Sequence, residues 1–240
     1  MTYGLGLLCR VGLVMASDSR SSAGVDQVAR VRKMTLFEQR GRRVMVLLSA
    51  GNLATTQAVA ESLREELGTG SARDLYAART LFDAAQVVGD QLRAIMERDA
   101  KYVAPHGDAS ATFLFGGQIS GMLPRLFLIY AAGNFVEASD RCPYLQIGEN
   151  KYGKPILDRA FMSAQTLEEA CKLALLSFDA AMRSNLSVGP PIDLILYEKD
   201  SLALSHIYEF DRGHPYFDNL THSYSQGLVS LVDSLPKLTF

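Results

Sequence analysis

The sequence predicts an α+β fold in four layers, with two antiparallel sheets sandwiched between helical layers. Three observations carry this expectation. Short apolar runs with strand character fill 3–9, 12–17, 33–37 and 44–48, then return at 111–117, 125–130, 133–138, 143–147 and 192–197. Stretches of helical period at 54–67 and about 74–98 divide those two groups, and another helix opens at Thr166. Finally, Val44-Met45-Val46-Leu47-Leu48 is apolar at every position, so a strand there needs cover on both faces.

Each element follows from a local signal. Arg10-Val11-Gly12 between the first two runs is a tight hairpin turn, and Glu38-Gln39-Arg40-Gly41-Arg42 joins the next two. In the first helix Ala58, Leu63 and Leu67 share a face, with Gly68 and Gly70 as the stop. In the second, Leu81, Ala84, Ala85, Val88, Leu92, Ile95 and Met96 form one apolar stripe opposite Arg79, Asp83, Gln86, Arg93 and Glu97. Ala131-Ala132-Gly133-Asn134 marks another hairpin. Thr166 and Glu169 have the spacing of a capping box, and Gly189-Pro190-Pro191 bars extension of the helix they start. The stretch beyond about residue 200 is polar, carries Pro215 and Pro236, and has no assigned element. With no linker, repeat or low-complexity tract, residues 1–240 are expected to form a single domain.

Composition excludes several classes of function. The 240 residues carry 24 Lys plus Arg against 26 Asp plus Glu, a formal net charge of −2, which leaves no electrostatic footprint for nucleic acid or an anionic membrane. No apolar run approaches the roughly 20 residues of a membrane span. Cys9, Cys142 and Cys171 are odd in number and form no C-x-x-C pair, so each is expected to be a small core hydrophobe in a reducing compartment. Residues 1–10 lack a basic start and their apolar stretch stops at Arg10, so no secretory signal is read and a cytoplasmic protein is expected. A small second residue permits removal of Met1, which makes Thr2 the expected first residue.

That position matters chemically. An N-terminal hydroxyl has a base on its own residue, because an α-amine with a reference pKa of about 7.7–8.0 is partly neutral near physiological pH. The fragments Ala-Ser-Asp-Ser-Arg at 16–20, Lys-Met at 33–34 and Leu-Ser-Ala-Gly-Asn-Leu-Ala-Thr-Thr-Gln at 48–57 then follow in order, as do the segments 143–159 and 183–193. In these pieces the chain resembles the β-subunits of proteasomes, and more specifically the bacterial Anbu ("ancestral β-subunit") family, from residue 2 to about 200.

The resemblance implies an N-terminal-nucleophile hydrolase of the proteasome β-subunit type, built as helix–sheet–sheet–helix layers. It implies Thr2 as nucleophile, Lys33 as the adjacent cation, Asp18 as the carboxylate that fixes Lys33, and the backbone N–H of Gly51 as the oxyanion hole. Ser22, Ser49 and Gly51 fall where the family holds a substrate strand, and Arg20, Glu149, Ser184 and Ser187 fall in supporting positions. It further implies a peptide or protein substrate, no cofactor, and self-association as a homo-oligomeric ring or open spiral, with no nucleic-acid or membrane partner. Without that context, Asp18 reads as a turn former at a strand end, Lys33 as a solvated edge residue and Gly51 as a loop glycine. Two positions depart from the proteasomal pattern: Gly148-Glu149 stands for a Gly-Ser-Gly turn, and Ser184-Asn185-Leu186-Ser187 for an Asp-x-x-Ser. They motivate the alternative of an assembly scaffold or peptide-binding particle with a relic site.

Other constellations point elsewhere only weakly. His206, His214 and His222 recur with Asp211 and Asp218 between them, but the spacing fits no single helical face, and Gly213 with Pro215 reads as loop, so no metal is expected. Gly116-Gly117-Gln118-Ile119-Ser120-Gly121 lacks the Gly-Lys-Ser/Thr end of a phosphate loop, and Gly4-x-Gly6 lacks its third glycine.

Overall fold

Two five-stranded antiparallel sheets stack face to face, each covered on its outer side by helices, in a computed structural model that describes residues 2–22 and 28–239. The chain runs β1 (Tyr3–Cys9), β2 (Gly12–Asp18), β3 (Arg20–Ser22), β4 (Val28–Arg30), β5 (Met34–Gln39), β6 (Arg43–Gly51), α1 (Leu53–Glu65), α2 (Leu81–Val103), β7 (Ala111–Ile119), β8 (Arg125–Ile129), β9 (Phe135–Glu137), β10 (Tyr144–Gly148), α3 (Lys154–Ala160), α4 (Leu167–Ser184), β11 (Ile192–Glu198), β12 (His206–Phe210) and α5 (Pro215–Ser234). One sheet has the order β10-β1-β2-β11-β12 and the other β5-β6-β7-β8-β9, while β3 and β4 form a separate two-stranded ribbon.

Strand alternation divides the apolar side chains among three layers. On β1, Tyr3, Leu5, Leu7 and Cys9 face Leu157, Leu175 and Phe178 of α3 and α4. Met45 and Leu47 of β6 pack under Val59, Leu63, Val88 and Leu92 of α1 and α2. Val44, Val46 and Leu48, on the other face of the same strand, meet Leu13, Met15, Ile195 and Tyr197 between the sheets. The continuous apolar run at 44–48 is thus buried on both sides. Full burial of one such side chain contributes about 1.5–3 kcal/mol. Helices α1, α2 and α4 sit outside, each turning one buried apolar face to a sheet.

The elements depart from the sequence expectation in four places. The second helix starts at Leu81 rather than near Asp74, because Asp74 instead accepts the N–H groups of Gly70 and Tyr76, and the reciprocal box of Thr80 and Asp83 sets the first turn. The strand expected at 133–138 shortens to β9, since residues 131–134 close the turn through the pairing of Tyr130 and Asn134. Helix α3 has no counterpart in the sequence pattern; Pro155 sits in its first turn, where a missing N–H is tolerated. The stretch beyond 200 holds β12 and α5, so His206 is in a strand, His214 caps α5 and His222 lies within it, rather than all three in loop. Asp179 of α4 anchors α5 by accepting the Thr221 hydroxyl at 3.1 Å.

The cysteines divide too. Burial pushes the thiols of Cys9 and Cys171 up to about 11 and about 12, as for core residues, but Cys142 is exposed, in the turn where Ser139 and Cys142 pair. Among the described residues no helix is long and apolar enough to cross a membrane, and no group of three or more His, Cys, Asp or Glu is placed to hold a metal ion.

Candidate active site

The last residues of β6, β8 and β10 and the first of β7 converge with the residues just before β1 and β5 on a cavity of about 490 Å³. Thr2, Arg20, Lys33, Ser49 and Gly51 line it, with Thr112, Tyr130, Gln146 and Asn150 among the other wall residues. Thr2 is held from both sides of β1. Its carbonyl accepts the Glu149 N–H at 2.7 Å, and the next residue, Tyr3, donates its N–H to Asp18 at 3.0 Å. Gly148 makes the first contact possible: at φ +75, a Cβ there would lie 1.9 Å from the Thr2 carbonyl oxygen.

Asp18 ends β2 with no solvent exposure, and Lys33, immediately before β5, is also buried. The Lys33 ammonium donates to Asp18 Oδ1 at 2.9 Å and to the Arg20 carbonyl at 2.5 Å, while the Gly189 N–H reaches Asp18 Oδ2 at 3.4 Å. Burial pushes the Asp18 carboxyl up and the Lys33 ammonium down, and the attraction between the two opposes both shifts. The ammonium is therefore fixed in place yet easier to deprotonate than a solvated lysine.

Gly51 closes β6 at φ +112, opposite Ala111. A Cβ there would meet the Ser110 carbonyl oxygen at 2.4 Å, so only glycine lets the two strands approach this closely. Asn52 then caps α1, its side chain accepting the Thr55 N–H at 3.2 Å. Ser49 Oγ lies 3.3 Å from the Lys33 carbonyl, which also accepts the Ser49 N–H at 3.0 Å. Arg20 reaches from β3 to the Leu186 carbonyl at 2.6 Å. Ser22 pairs with Val28 in the β3–β4 ribbon; its side chain lies outside the described residues, as does Met1.

The remaining supporting positions lie apart from this wall. Glu149 is buried, with its carboxylate accepting the Lys151 N–H at 2.8 Å and the Asn185 amide at 2.8 Å, and it is not among the cavity-lining residues. Burial works to raise its carboxyl, but the Lys151 N–H, the Asn185 amide and the Tyr152 N–H hold it below the usual carboxylate range. Ser184 is exposed at the end of α4, and Ser187 donates its N–H to Asn185 Oδ1. Replacing Glu149 by Gln should therefore cost about 1 kcal/mol of stability at neutral pH through a lost charge-assisted bond. Its folded-state carboxyl is lowered, so its contribution is present above the unfolded value of about 4.3 and lost as pH falls through the folded one. Denaturation of the variant and the parent across pH checks that the gap closes in acid.

Several participants were not singled out in the sequence. Tyr3 is wholly buried, its hydroxyl paired with Ser177 at 2.5 Å and with the Gln146 amide at 2.7 Å, and burial pushes it up to about 12. Asp193 of β11 is buried, accepting the Ser19 hydroxyl at 2.8 Å and Arg32 at 3.4 Å. A carboxylate inside the apolar run at 192–197 was the available signal.

Comparison with known proteins agrees with this architecture. Residues 2–195 match the family model described as "Proteasome subunit". The chain is similar to the Anbu structure from Yersinia bercovieri, with 41% identity over 99% of both chains and a TM-score of 0.93. It is similar also to the chain in the helical assembly of the Anbu complex from Pseudomonas aeruginosa, with 42% identity over 99% of this chain and 98% of that one, and a TM-score of 0.94. Proteasome subunit beta 1 of Thermococcus kodakarensis is 26% identical over 194 residues, 81% of this chain and 87% of its own.

Proposed function

The chain belongs to the proteasome-subunit family, in its Anbu branch, and on that premise we propose that it is an N-terminal threonine peptidase or amidase working as a self-assembled oligomer. The observation that carries the reading is one cavity whose wall contains Thr2, Gly51 and a Lys33 fixed by Asp18. Once Met1 is removed, the Thr2 amine takes the proton of the Thr2 hydroxyl as its oxygen attacks a peptide carbonyl. The Gly51 N–H meets the developing oxyanion. The C–N bond then breaks, the amine product leaves with the transferred proton, and water hydrolyses the ester left on Thr2. The nearby Lys33 ammonium favours loss of that proton from the hydroxyl by lowering its proton affinity. The helical Pseudomonas aeruginosa relative supports self-association, through contacts that close into a ring or run on as an open spiral.

A small electrophile selective for N-terminal threonine, followed by intact-mass and N-terminal peptide analysis, tests the reading. The expected result is one label per chain, on Thr2. Quantitative removal of Met1 with no label at Thr2 would overturn it and favour the scaffold with a lapsed site.

A further inference from the structure

We propose that a second cavity, contiguous with the first, is a subsite for an acidic side chain, that of the aspartate or glutamate whose carbonyl Thr2 attacks; the attack itself rests on the hydrolase reading above. This cavity measures about 610 Å³ and shares Lys33, Ser49, Leu53 and Thr56 with the cavity of Thr2, so the two form one bent cleft. Successive residues of an extended chain are only about 3.3 Å apart. A side chain entering from beside the attacked carbonyl is therefore the one within reach.

The walls carry an imbalance of charge. Arg30, Arg32 and Arg64 join Lys33 around the space, against Glu61 as the one carboxylate among the described lining residues. None of the three arginines is consumed by its existing partner. Arg64 meets Glu61 across one helical turn at 3.2 Å with both side chains largely exposed, a contact that exchanges readily for a ligand. Arg30 meets Asp211 through one nitrogen at 2.6 Å on the exposed surface. Arg32 touches buried Asp193 through one nitrogen at 3.4 Å, which positions the guanidinium while leaving most of its five donors for a carboxylate. Thr35 and Gln57 add neutral hydrogen-bonding groups to the wall. Asp193 thereby gains a purpose that the catalytic chemistry does not give it: it holds a specificity residue.

Acetylated, dye-labelled tripeptide amides ending in Glu, Gln or Lys, titrated into the full chain and followed by anisotropy, read the subsite without any turnover. The Glu peptide should bind roughly tenfold more tightly than the Gln peptide, and the Lys peptide more weakly still. The difference should vanish in Arg64→Glu, which changes an exposed helix surface, and in Arg32→Ser, provided each variant keeps the parent melting temperature. Equal binding of Glu and Gln peptides, or a preference that survives both substitutions, overturns the proposal. Coumarin amides of the same peptides separate the two readings. Selective Glu binding without cleavage or Thr2 labelling supports the subsite and defeats the hydrolase. Cleavage of Leu or Lys amides as fast as Glu amides supports the hydrolase and defeats the subsite.

Discussion

Replacing Lys33 by methionine should remove about 3–5 kcal/mol of folding stability and lower turnover about 10²–10⁴-fold. The stability loss follows from what is left behind. Asp18 has no solvent exposure, and without the ammonium at 2.9 Å its charge is compensated, among the described residues, by the N–H groups of Tyr3 and Gly189. The loss in rate follows from position, since Lys33 is a buried cation on the wall that holds Thr2. Adding Asp18→Asn should restore most of the stability and none of the activity, because the second substitution removes the stranded charge but returns no ammonium. Recovery of turnover in the double variant would separate Lys33 from the chemistry. Denaturation is compared at matched protein concentration, since self-association shifts apparent stability.

The sign of the pH dependence tests the same pair. Burial already raises the Asp18 carboxyl, with Lys33 opposing, so loss of Lys33 raises it further. A group raised in the folded state stabilises fully below its unfolded value, about 3.9 for Asp, and that stabilisation is lost as pH rises through the folded value. The Lys33→Met defect should therefore be largest at and above neutral pH and shrink on acidification towards about pH 4. A defect independent of pH would mean that the stranded carboxylate is not its cause.

The parts of this protein that were legible in its sequence are those where a local pattern has one physical solution. Five apolar residues in a row at 44–48 require cover on both faces, and Thr166 with Glu169 can satisfy each other's amides only at a helix start. What was missed involves competing signals. Pro215 and Pro155 look like breakers until their N–H-free positions turn out to be the first turns of α5 and α3. Asp74 and Thr80 both offer a helix start, and Asp74 spends its oxygens on a turn. Within the site, Thr2, Asp18, Lys33 and Gly51 are separated in sequence, and no periodicity connects them; resemblance supplied their grouping, and strand pairing brings them to one cavity region. Tyr3 and Asp193 escaped notice because each sits in an otherwise apolar strand, where its polar atoms matter only once their partners are known.

Gly51→Ala should lower turnover about 10²–10³-fold, the usual cost of one oxyanion donor, together with a loss of stability. At φ +112 an alanine is strained by about 1–3 kcal/mol. Its Cβ would also press on the Ser110 carbonyl oxygen at 2.4 Å and the Ala111 Cα at 2.8 Å, and both contacts are backbone that yields only if β6 and β7 part. That movement would shift the Gly51 N–H away from the cavity while Thr2, Asp18 and Lys33 keep their own supports. The rate loss should consequently fall on kcat more than on KM, since the contact strengthens only as the oxyanion develops. Gly41→Ala supplies the control: it too sits at positive φ (+76), but a Cβ there meets nothing within 4 Å, and the residue lies in the turn between β5 and β6 rather than on the cavity wall. It should lose stability from strain alone and keep its turnover. If the two variants lost stability but kept turnover alike, the oxyanion would have to be held by a donor other than Gly51, and the catalytic role proposed for the end of β6 would fall with it.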